Sequence, residues 1–172
     1  MLQIRIGSMV QLNIPWKTTY LQVFRAPDAT MTRAMMVTVL YRMAGSPAAG
    51  NSQFSDVPAN IWYAEAVSWA ASNGVVNGVG NNLFAPEENI TREQMAVMLH
   101  NYCLLKNVTL PTTTTAHFSD AAAISDWAKS AVQAMANAGI LKGMGDHTFV
   151  PRGNATRAEV AQMFMNFLEA MK

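Results

Sequence analysis

The sequence predicts an all-α protein made of tandem helix-loop-helix repeats, and a recurring set of motifs is the main reason. One complete copy contains Phe54-Ser55-Asp56, Trp62, Gly74, Gly78, Phe84, Pro86 and Thr91-Arg92. The other complete copy contains Phe118-Ser119-Asp120, Trp127, Gly139, Gly143, Phe149, Pro151 and Thr156-Arg157. A partial copy near the start has Pro27 and Thr32-Arg33, with the same spacing from proline to threonine. Apolar residues between these motifs recur at helical spacing. A fixed period of about 65 residues indicates a repeated supersecondary unit.

The motifs divide the chain into four regions. We expect an atypical segment over residues 1–23, a partial first repeat over 24–45, a second repeat over 54–105 and a third over 118–170. The chain has 172 residues, of which 51% are apolar, so it is long enough to bury a core. We therefore expect the repeats to form one compact module.

Charge and hydropathy exclude several classes of partner. The 12 basic and 11 acidic side chains give a net charge of +1, and neither sign forms a run. Nucleic-acid binding requires a basic patch, so we expect no nucleic-acid partner. There is no run of about 18 apolar residues, and polar side chains interrupt residues 1–23. The sequence therefore predicts neither a membrane span nor an export signal within this chain.

Titratable and nucleophilic residues give no pattern of catalysis. The single cysteine, Cys103, excludes an internal disulfide and a thiolate zinc cage, and its place on a helical stripe predicts a small buried hydrophobe. His100 lies three residues before it, but two ligands without partners do not predict a metal site. No nucleophile and base recur together. We expect no catalytic residues, no metal and no cofactor.

Each complete repeat begins with a loop, and its first helix is predicted over about residues 62–73 or the equivalent positions. Its stripe comprises Trp62, Ala66, Val67 and Ala70 in one repeat and Trp127, Ala131, Val132 and Met135 in the other. A tryptophan at a helix start is either a core residue or a flat apolar face for a sugar ring, and both interpretations stay open. Gly74 and Gly139 follow the helices and predict left-handed C-terminal caps.

The second helix of each repeat opens at a threonine. Thr91 with Gln94, and Thr156 with Glu159, have the spacing of a capping box. Four apolar positions align across all three copies, namely Met36, Val39, Leu40 and Met43, then Met95, Met98, Leu99 and Tyr102, then Val160, Met163, Phe164 and Phe167. Three equivalent apolar faces bury most simply against one another. We expect a pseudo-threefold arrangement around a central three-helix bundle.

An arginine follows the threonine in every copy, at Arg33, Arg92 and Arg157. A cation in the first turn opposes the helix dipole, so its recurrence needs another reason. One reason is a ligand carboxylate that binds the guanidinium and the amides of the helix start. The other is an ion pair with an acidic side chain such as Asp56 or Asp120, and the two can coexist.

In combination these motifs resemble the S-layer homology domain, a family normally present as three tandem copies. The resemblance covers residues 24–169, although only Thr156-Arg157-Ala158-Glu159 keeps the full Thr-Arg-Ala-Glu motif. It implies a non-catalytic module that binds anionic, often pyruvylated, secondary cell-wall polysaccharide and anchors a protein outside the cell on a bacterial envelope. The arginine of the motif recognises the acidic sugar in that family. The candidate glycan-binding residues are Arg33, Arg92, Arg157, Trp62, Trp127, Asp56, Asp120, Gly74, Gly139 and Glu159.

A second interpretation keeps the fold but changes the partner. The module would then bind other surface-layer proteins or assemble with itself, which an exposed contiguous apolar patch would favour. Family grooves lie between neighbouring repeats, so we expect the groove that involves the two complete repeats to bind best.

Overall fold

The computed structural model describes residues 26–170, and it is all-α as predicted. In that range it has five α-helices and no strand: α1 Arg33–Met43, α2 Ala64–Ser72, α3 Arg92–Leu105, α4 Lys129–Asn137 and α5 Arg157–Ala170. A short 3-10 helix, Ala121–Ala123, precedes α4. Helices α2 and α3 belong to the second repeat, α4 and α5 to the third, and α1 to the partial first repeat. The predicted segment over residues 1–23 lies outside the described residues.

The first helix of each complete repeat starts later than the sequence predicted. Helix α2 begins at Ala64, so Trp62 lies in the turn before it, and Trp127 has the same place before α4. Both indoles are 57% exposed, whereas the rest of each predicted stripe is buried. The interpretation of these tryptophans as core residues is therefore wrong, because the helix does not extend far enough to turn them inward.

Glycine caps end both of these helices, as predicted. Gly74 has φ +68° and Gly139 has φ +71°, a left-handed conformation that glycine adopts without a Cβ clash. After α2, the amide of Val75 donates to the carbonyl of Ala70 at 2.8 Å, and after α4 the amide of Ile140 donates to Met135 at 3.0 Å. These are the bonds of a Schellman motif. Each cap turns the chain into the glycine-rich loop.

A closed ring of backbone hydrogen bonds joins the three repeats. The amide of Met31 donates to the carbonyl of Ala155 at 3.0 Å, Ala155 to Ile90 at 2.9 Å, and Ile90 to Met31 at 2.8 Å. Each of these residues stands directly before the threonine that opens α1, α3 or α5. The starts of the three second helices therefore meet at one point in cyclic order.

The same cyclic order governs how each helix start docks on a neighbouring loop. The amide of Arg33 donates to the carbonyl of Glu88 in the second repeat, Arg92 to Gly153 in the third, and Arg157 to Ala29 in the first, each at 2.9 Å. Orphan amides of a helix start are thus satisfied by the next repeat. A symmetric bundle along the full length of the three helices stays a prediction.

The aligned apolar faces are buried as expected, with one exception. Met36, Met95 and Val160 are fully buried, and Met43 alone of the twelve aligned residues is only partly buried. Cys103 is buried, and burial raises the pKa of its thiol to about 12. This confirms the interpretation of Cys103 as a small buried hydrophobe. Within residues 26–170, no helix has the length and hydropathy needed to cross a membrane.

Candidate functional site

The glycine-rich loop of each complete repeat is held by the Phe-Ser-Asp motif. Asp56 accepts hydrogen bonds from the amides of Phe84 at 2.9 Å and Ala85 at 2.7 Å. Asp120 accepts the equivalent bonds from Phe149 at 2.7 Å and Val150 at 2.8 Å. Ala85 and Val150 have φ of +56° and +54°, an unusual conformation for residues with a Cβ. The two predicted site aspartates therefore brace a strained turn rather than pair with an arginine.

The phenylalanine of the Phe-Ser-Asp motif packs so close to the loop that the loop has room for a glycine but not for a Cβ. A Cβ at Gly78 would lie 2.7 Å from Cε1 of Phe54 and 2.6 Å from the carbonyl oxygen of Leu83. At Gly143 the equivalent distances are 2.9 Å to Phe118 and 2.7 Å to the carbonyl of Thr148. Only glycine fits without a shift of the backbone. Both loops are thus built by the same contacts.

Arg33 and Arg92 lock the start of one repeat onto the loop of the next. Nε of Arg33 donates to the carbonyl of Phe84 at 2.9 Å, and its guanidinium stacks 4.7 Å from the centre of that ring. Nε of Arg92 donates to the carbonyl of Phe149 at 2.7 Å and stacks at 5.2 Å. A second bond runs from Arg33 to Asn77 and from Arg92 to Lys142. These contacts give the recurring arginine a structural role that the sequence alone did not reveal.

Each of these two arginines lies at one end of a groove. The repeat-2 groove, about 480 Å³, is lined by Arg33, loop residues 75–79, the side of α3 from Gln94 to Asn101, and Trp127. The repeat-3 groove, about 320 Å³, is lined by Arg92, loop residues 140–145 and the equivalent side of α5 from Glu159 to Asn166. The two grooves are therefore built from matching positions, and among residues 26–170 a tryptophan lines the repeat-2 groove but not the repeat-3 groove.

Trp127 reaches the repeat-2 groove from the third repeat, and a buried carboxylate holds the segment before it. Glu93, only 4% exposed, accepts hydrogen bonds from the amide and the hydroxyl of Ser125, both at 2.9 Å. The other copies have Ala34 and Ala158 at the position of Glu93. No repeated motif indicates this contact, because the equivalent residues are alanines that cannot make it.

An ion pair does form at one arginine, with a glutamate rather than the predicted aspartates. Nη1 of Arg92 donates to Oε1 of Glu159, while the other carboxylate oxygen accepts from the amide of Thr156 at 2.8 Å. The hydroxyl of Thr156 in turn accepts from the amide of Glu159 at 3.2 Å, which completes the capping box. Glu159 thus caps its own helix and neutralises the arginine of the preceding repeat.

The remaining predicted site residues lie elsewhere. Arg157 is half-buried, and its Nη2 donates to Sδ of Met35 at 3.9 Å. Trp62, Gly74 and Gly139 line neither the repeat-2 groove nor the repeat-3 groove. The structure thus brings Arg33 together with Trp127, and Arg92 together with Glu159.

Two groove residues were missed at the sequence level. Nδ2 of Asn101 donates to the carbonyl of Val75 at 3.3 Å, and Asn166 donates to Ile140 at 3.0 Å. Each amide ties the groove's helix to its loop. The signal was available, because the two asparagines have the same spacing as the other repeated motifs.

The titratable groups with a shifted pKa do not form an alternative centre among the described residues. Burial lowers the pKa of Arg33, with Glu88 and Asp56 opposing the shift, and burial lowers the pKa of His100. Among residues 26–170, no group of three or more histidine, cysteine, aspartate and glutamate side chains is placed to hold a metal ion.

Comparison with known proteins places these repeats in a family. The S-layer homology domain model matches residues 53–96 and 117–161. An amylopullulanase of Thermoanaerobacterium thermosulfurigenes is 37% identical over 83% of the chain, and a surface-layer 125 kDa protein of Lysinibacillus sphaericus is 30% identical over 83%. A cellulosome-anchoring protein of Acetivibrio thermocellus is 25% identical over 83%.

The matched region is a small part of these relatives. The chain spans 8%, 12% and 33% of their lengths, respectively. In the amylopullulanase the match falls on the S-layer homology region and not on the catalytic part. That domain is a non-catalytic, cell-surface anchoring module. With more than half of its residues covered by the family model, the chain belongs to the S-layer homology domain family.

Proposed function

We propose that this chain anchors a protein to the outside of a bacterial envelope by binding anionic secondary cell-wall polysaccharide in its inter-repeat grooves. The observation that carries the proposal is the repeat-2 groove, which combines an arginine from the first repeat, a rigid loop from the second and an exposed indole from the third. A guanidinium suits an acidic substituent, and an indole face suits a sugar ring. The names of the surface-layer and cellulosome-anchoring relatives agree with this role.

Each candidate residue has a distinct part in the proposal. Arg33 and Trp127 contact the glycan in the repeat-2 groove, and Arg92 and Glu159 line the second groove. Asp56, Asp120, Gly74 and Gly139 act indirectly, since they shape the loops that form the groove walls. Arg157 and Trp62 line neither groove, so the proposal gives them no direct contact with the glycan there. Several weak sites on one polymer would add avidity.

Trp127 is the best position for a test. Arg33 and Arg92 are poor choices, because their removal would break the loop contacts as well as any ligand contact. Trp127 is exposed and makes no side-chain hydrogen bond among the described residues, so Trp127→Ala should leave the fold intact. Trp62 is a matched control with the same exposure at the equivalent place, and it lines neither groove.

The experiment is co-sedimentation with bacterial cell-wall sacculi, before and after chemical removal of the secondary polymer. We expect the wild-type chain to bind intact sacculi and not stripped ones. Trp127→Ala should weaken binding about fivefold to a hundredfold, because loss of one stacking contact with an aromatic side chain costs about 1 to 3 kcal/mol. Trp62→Ala should weaken it less. Equal binding to intact and stripped sacculi would contradict the proposal.

The rival function is a protein-binding or self-assembly module. Exposed apolar side chains such as Ile61, Val79 and Leu104 are the observation in its favour. Sedimentation velocity of the purified chain tests it. Concentration-dependent association without polymer would support the rival, and a monomer that binds only polymer-bearing sacculi would support the glycan anchor.

A further inference from the structure

One position in each repeat faces the arginine of the preceding repeat. It is the third residue after the threonine that opens the second helix, and it is Met35 in the first repeat, Gln94 in the second and Glu159 in the third. Glu159 pairs with Arg92, and Met35 accepts from Arg157 at 3.9 Å. Gln94 lines the same groove as Arg33. A residue of this position thus contacts Arg92 and Arg157 and shares a groove with Arg33, and it differs in every repeat.

In the repeat-3 groove, this position supplies the arginine with a carboxylate from the protein itself. Arg92 uses Nε and Nη2 on backbone carbonyls, and Nη1 on Glu159. The three nitrogens of its guanidinium are therefore all engaged. A ligand carboxylate could reach Arg92 only by displacing Glu159, or by accepting a place beside a like charge.

In the repeat-2 groove, the equivalent atoms have no partner among the described residues. Arg33 uses Nε on Phe84 and Nη2 on Asn77, which leaves Nη1. Oε1 of Gln94 accepts from the amide of Thr91 at 3.2 Å, which leaves the Nε2 donors. Neither nitrogen is among the fully buried atoms that lack a partner, and Arg33 as a whole is 3% exposed. An arginine donor and an amide donor thus line one groove without an acceptor.

The total charge of the two grooves does not distinguish them. Lys142 lines the repeat-3 groove at the position that Asn77 has in the other, so its cation offsets Glu159. The formal charge of the lining is +1 in both cases. The difference is local: Arg92 has a carboxylate bonded to its guanidinium, whereas Glu88 and Asp56 act on Arg33 without an ion-pair contact.

We propose that the residue facing each arginine sets the charge of the sugar that the groove accepts. Gln94 makes the repeat-2 groove the one that selects a carboxylate-bearing sugar, and Glu159 makes the repeat-3 groove prefer an uncharged sugar. This inference rests on the proposed glycan-binding function and goes beyond it, because it assigns different ligand preferences to two grooves built from the same scaffold.

The test compares two probes of the same shape. One is a pyruvyl-ketal N-acetylhexosamine methyl glycoside, and the other is the methyl ester of its carboxylate. Binding is followed by NMR, with the indole N–H of Trp127 reporting on the repeat-2 groove and the amide of Met144 on the repeat-3 groove. In the wild type we expect the acid to bind the repeat-2 groove about tenfold to a hundredfold tighter than the ester, the range of a charge-assisted hydrogen bond.

Two reciprocal variants exchange the residue between the grooves. Gln94→Glu should pair with Arg33 and reduce the preference for the acid at Trp127 to about one, and Glu159→Gln should increase acid binding at Met144 about tenfold. Both substitutions keep the capping box, because each introduces the residue that the other repeat already uses there. Lys142 is unchanged in this comparison.

Asn81→Asp is the matched control for charge. Asn81 is an exposed loop residue outside the groove lining, and the third repeat has Asp146 at the equivalent place. It should leave the preference at Trp127 within about twofold, as expected for a screened surface charge. A preference that persisted in Gln94→Glu, or that fell equally in Asn81→Asp, would overturn the inference.

The outcome for the wild type separates this inference from the proposed function. If acid and ester bound the repeat-2 groove equally well, glycan binding would stand and the charge selectivity would fall. If neither probe nor the purified wall polymer changed any signal of the folded chain, the proposed function would fall and the inference with it.

Discussion

The second and third repeats have nearly the same loop and different grooves. The hydrogen bonds from the loop amides to Asp56 and to Asp120 differ in length by at most 0.2 Å. Gly78 and Gly143 each lie against the phenylalanine ring of the Phe-Ser-Asp motif. In contrast, the arginine faces an amide in one groove and a carboxylate in the other. The repeated motifs therefore determine the scaffold, and one side chain beside the arginine distinguishes the two sites.

The largest effect should come from the aromatic residue at the centre of each loop. Phe84 and Phe149 are fully buried and stack under Arg33 and Arg92. Replacement of either by alanine should lower the free energy of unfolding by about 3 to 5 kcal/mol, because it leaves a large cavity. Urea denaturation measures this, and Leu104→Ala, at an exposed site, should change it by less than about 0.5 kcal/mol. Losses that differed strongly between the two phenylalanines would break the equivalence of the loops.

The next effect concerns the bracing aspartates. Asp56→Ala and Asp120→Ala should each lower the free energy of unfolding by about 2 to 4 kcal/mol, since each removes two charge-assisted hydrogen bonds to the turn of the loop. Thermal unfolding of the two variants gives the comparison directly. Asp126→Ala is the control, and it should leave stability unchanged within error because that carboxylate is exposed. If Asp126→Ala were as destabilising as the other two substitutions, the losses at Asp56 and Asp120 could not be attributed to their bonds with the loop amides.

A smaller effect should distinguish the second repeat from the others. Glu93→Ala should cost about 1.5 to 3 kcal/mol, because the amide and hydroxyl of Ser125 lose their acceptor. It should also change how far Trp127 is quenched by acrylamide, since Ser125 fixes the turn before that indole. Glu169→Ala, at an exposed position of α5, serves as the control. Unchanged quenching of Trp127 would contradict a positioning role for Glu93.

The smallest expected effect is a difference in loop strain. Val150 and Ala85 both have positive φ, but a β-branched residue is less tolerant of that conformation. Val150→Gly should stabilise the protein by about 1 kcal/mol, and Ala85→Gly by less than half of that, after the added freedom of glycine in the unfolded chain is counted. Chemical denaturation of the pair measures the difference. A larger gain for Ala85→Gly would show that the two turns are not equivalent.

Much of the scaffold could be predicted because its causes are local in sequence. Gly74 and Gly139 end their helices through their own backbone freedom, and Thr91 with Gln94 forms the capping box through contacts within one turn. The apolar stripes predicted the buried faces of α1, α3 and α5 for the same reason. Helical spacing alone, however, placed Trp62 and Trp127 inward, because it does not say where the helix begins.

The grooves could be predicted only in part, because they depend on contacts between repeats. The arginines were recognised as unusual, but their bonds to Phe84 and Phe149 connect residues more than 50 positions apart. The same applies to Glu159, whose capping role is local and whose pairing with Arg92 is not. A repeat pattern shows which positions are equivalent, and only the cyclic order of the repeats shows which of them meet.

A crystal structure of the chain with the pyruvyl-ketal sugar would show which groove holds the carboxylate. We expect the sugar in the repeat-2 groove, with its carboxylate within hydrogen-bond distance of Nη1 of Arg33 and Nε2 of Gln94 and its ring against Trp127. A sugar carboxylate bound instead to Arg92, with Glu159 displaced and the repeat-2 groove empty, would contradict this expectation.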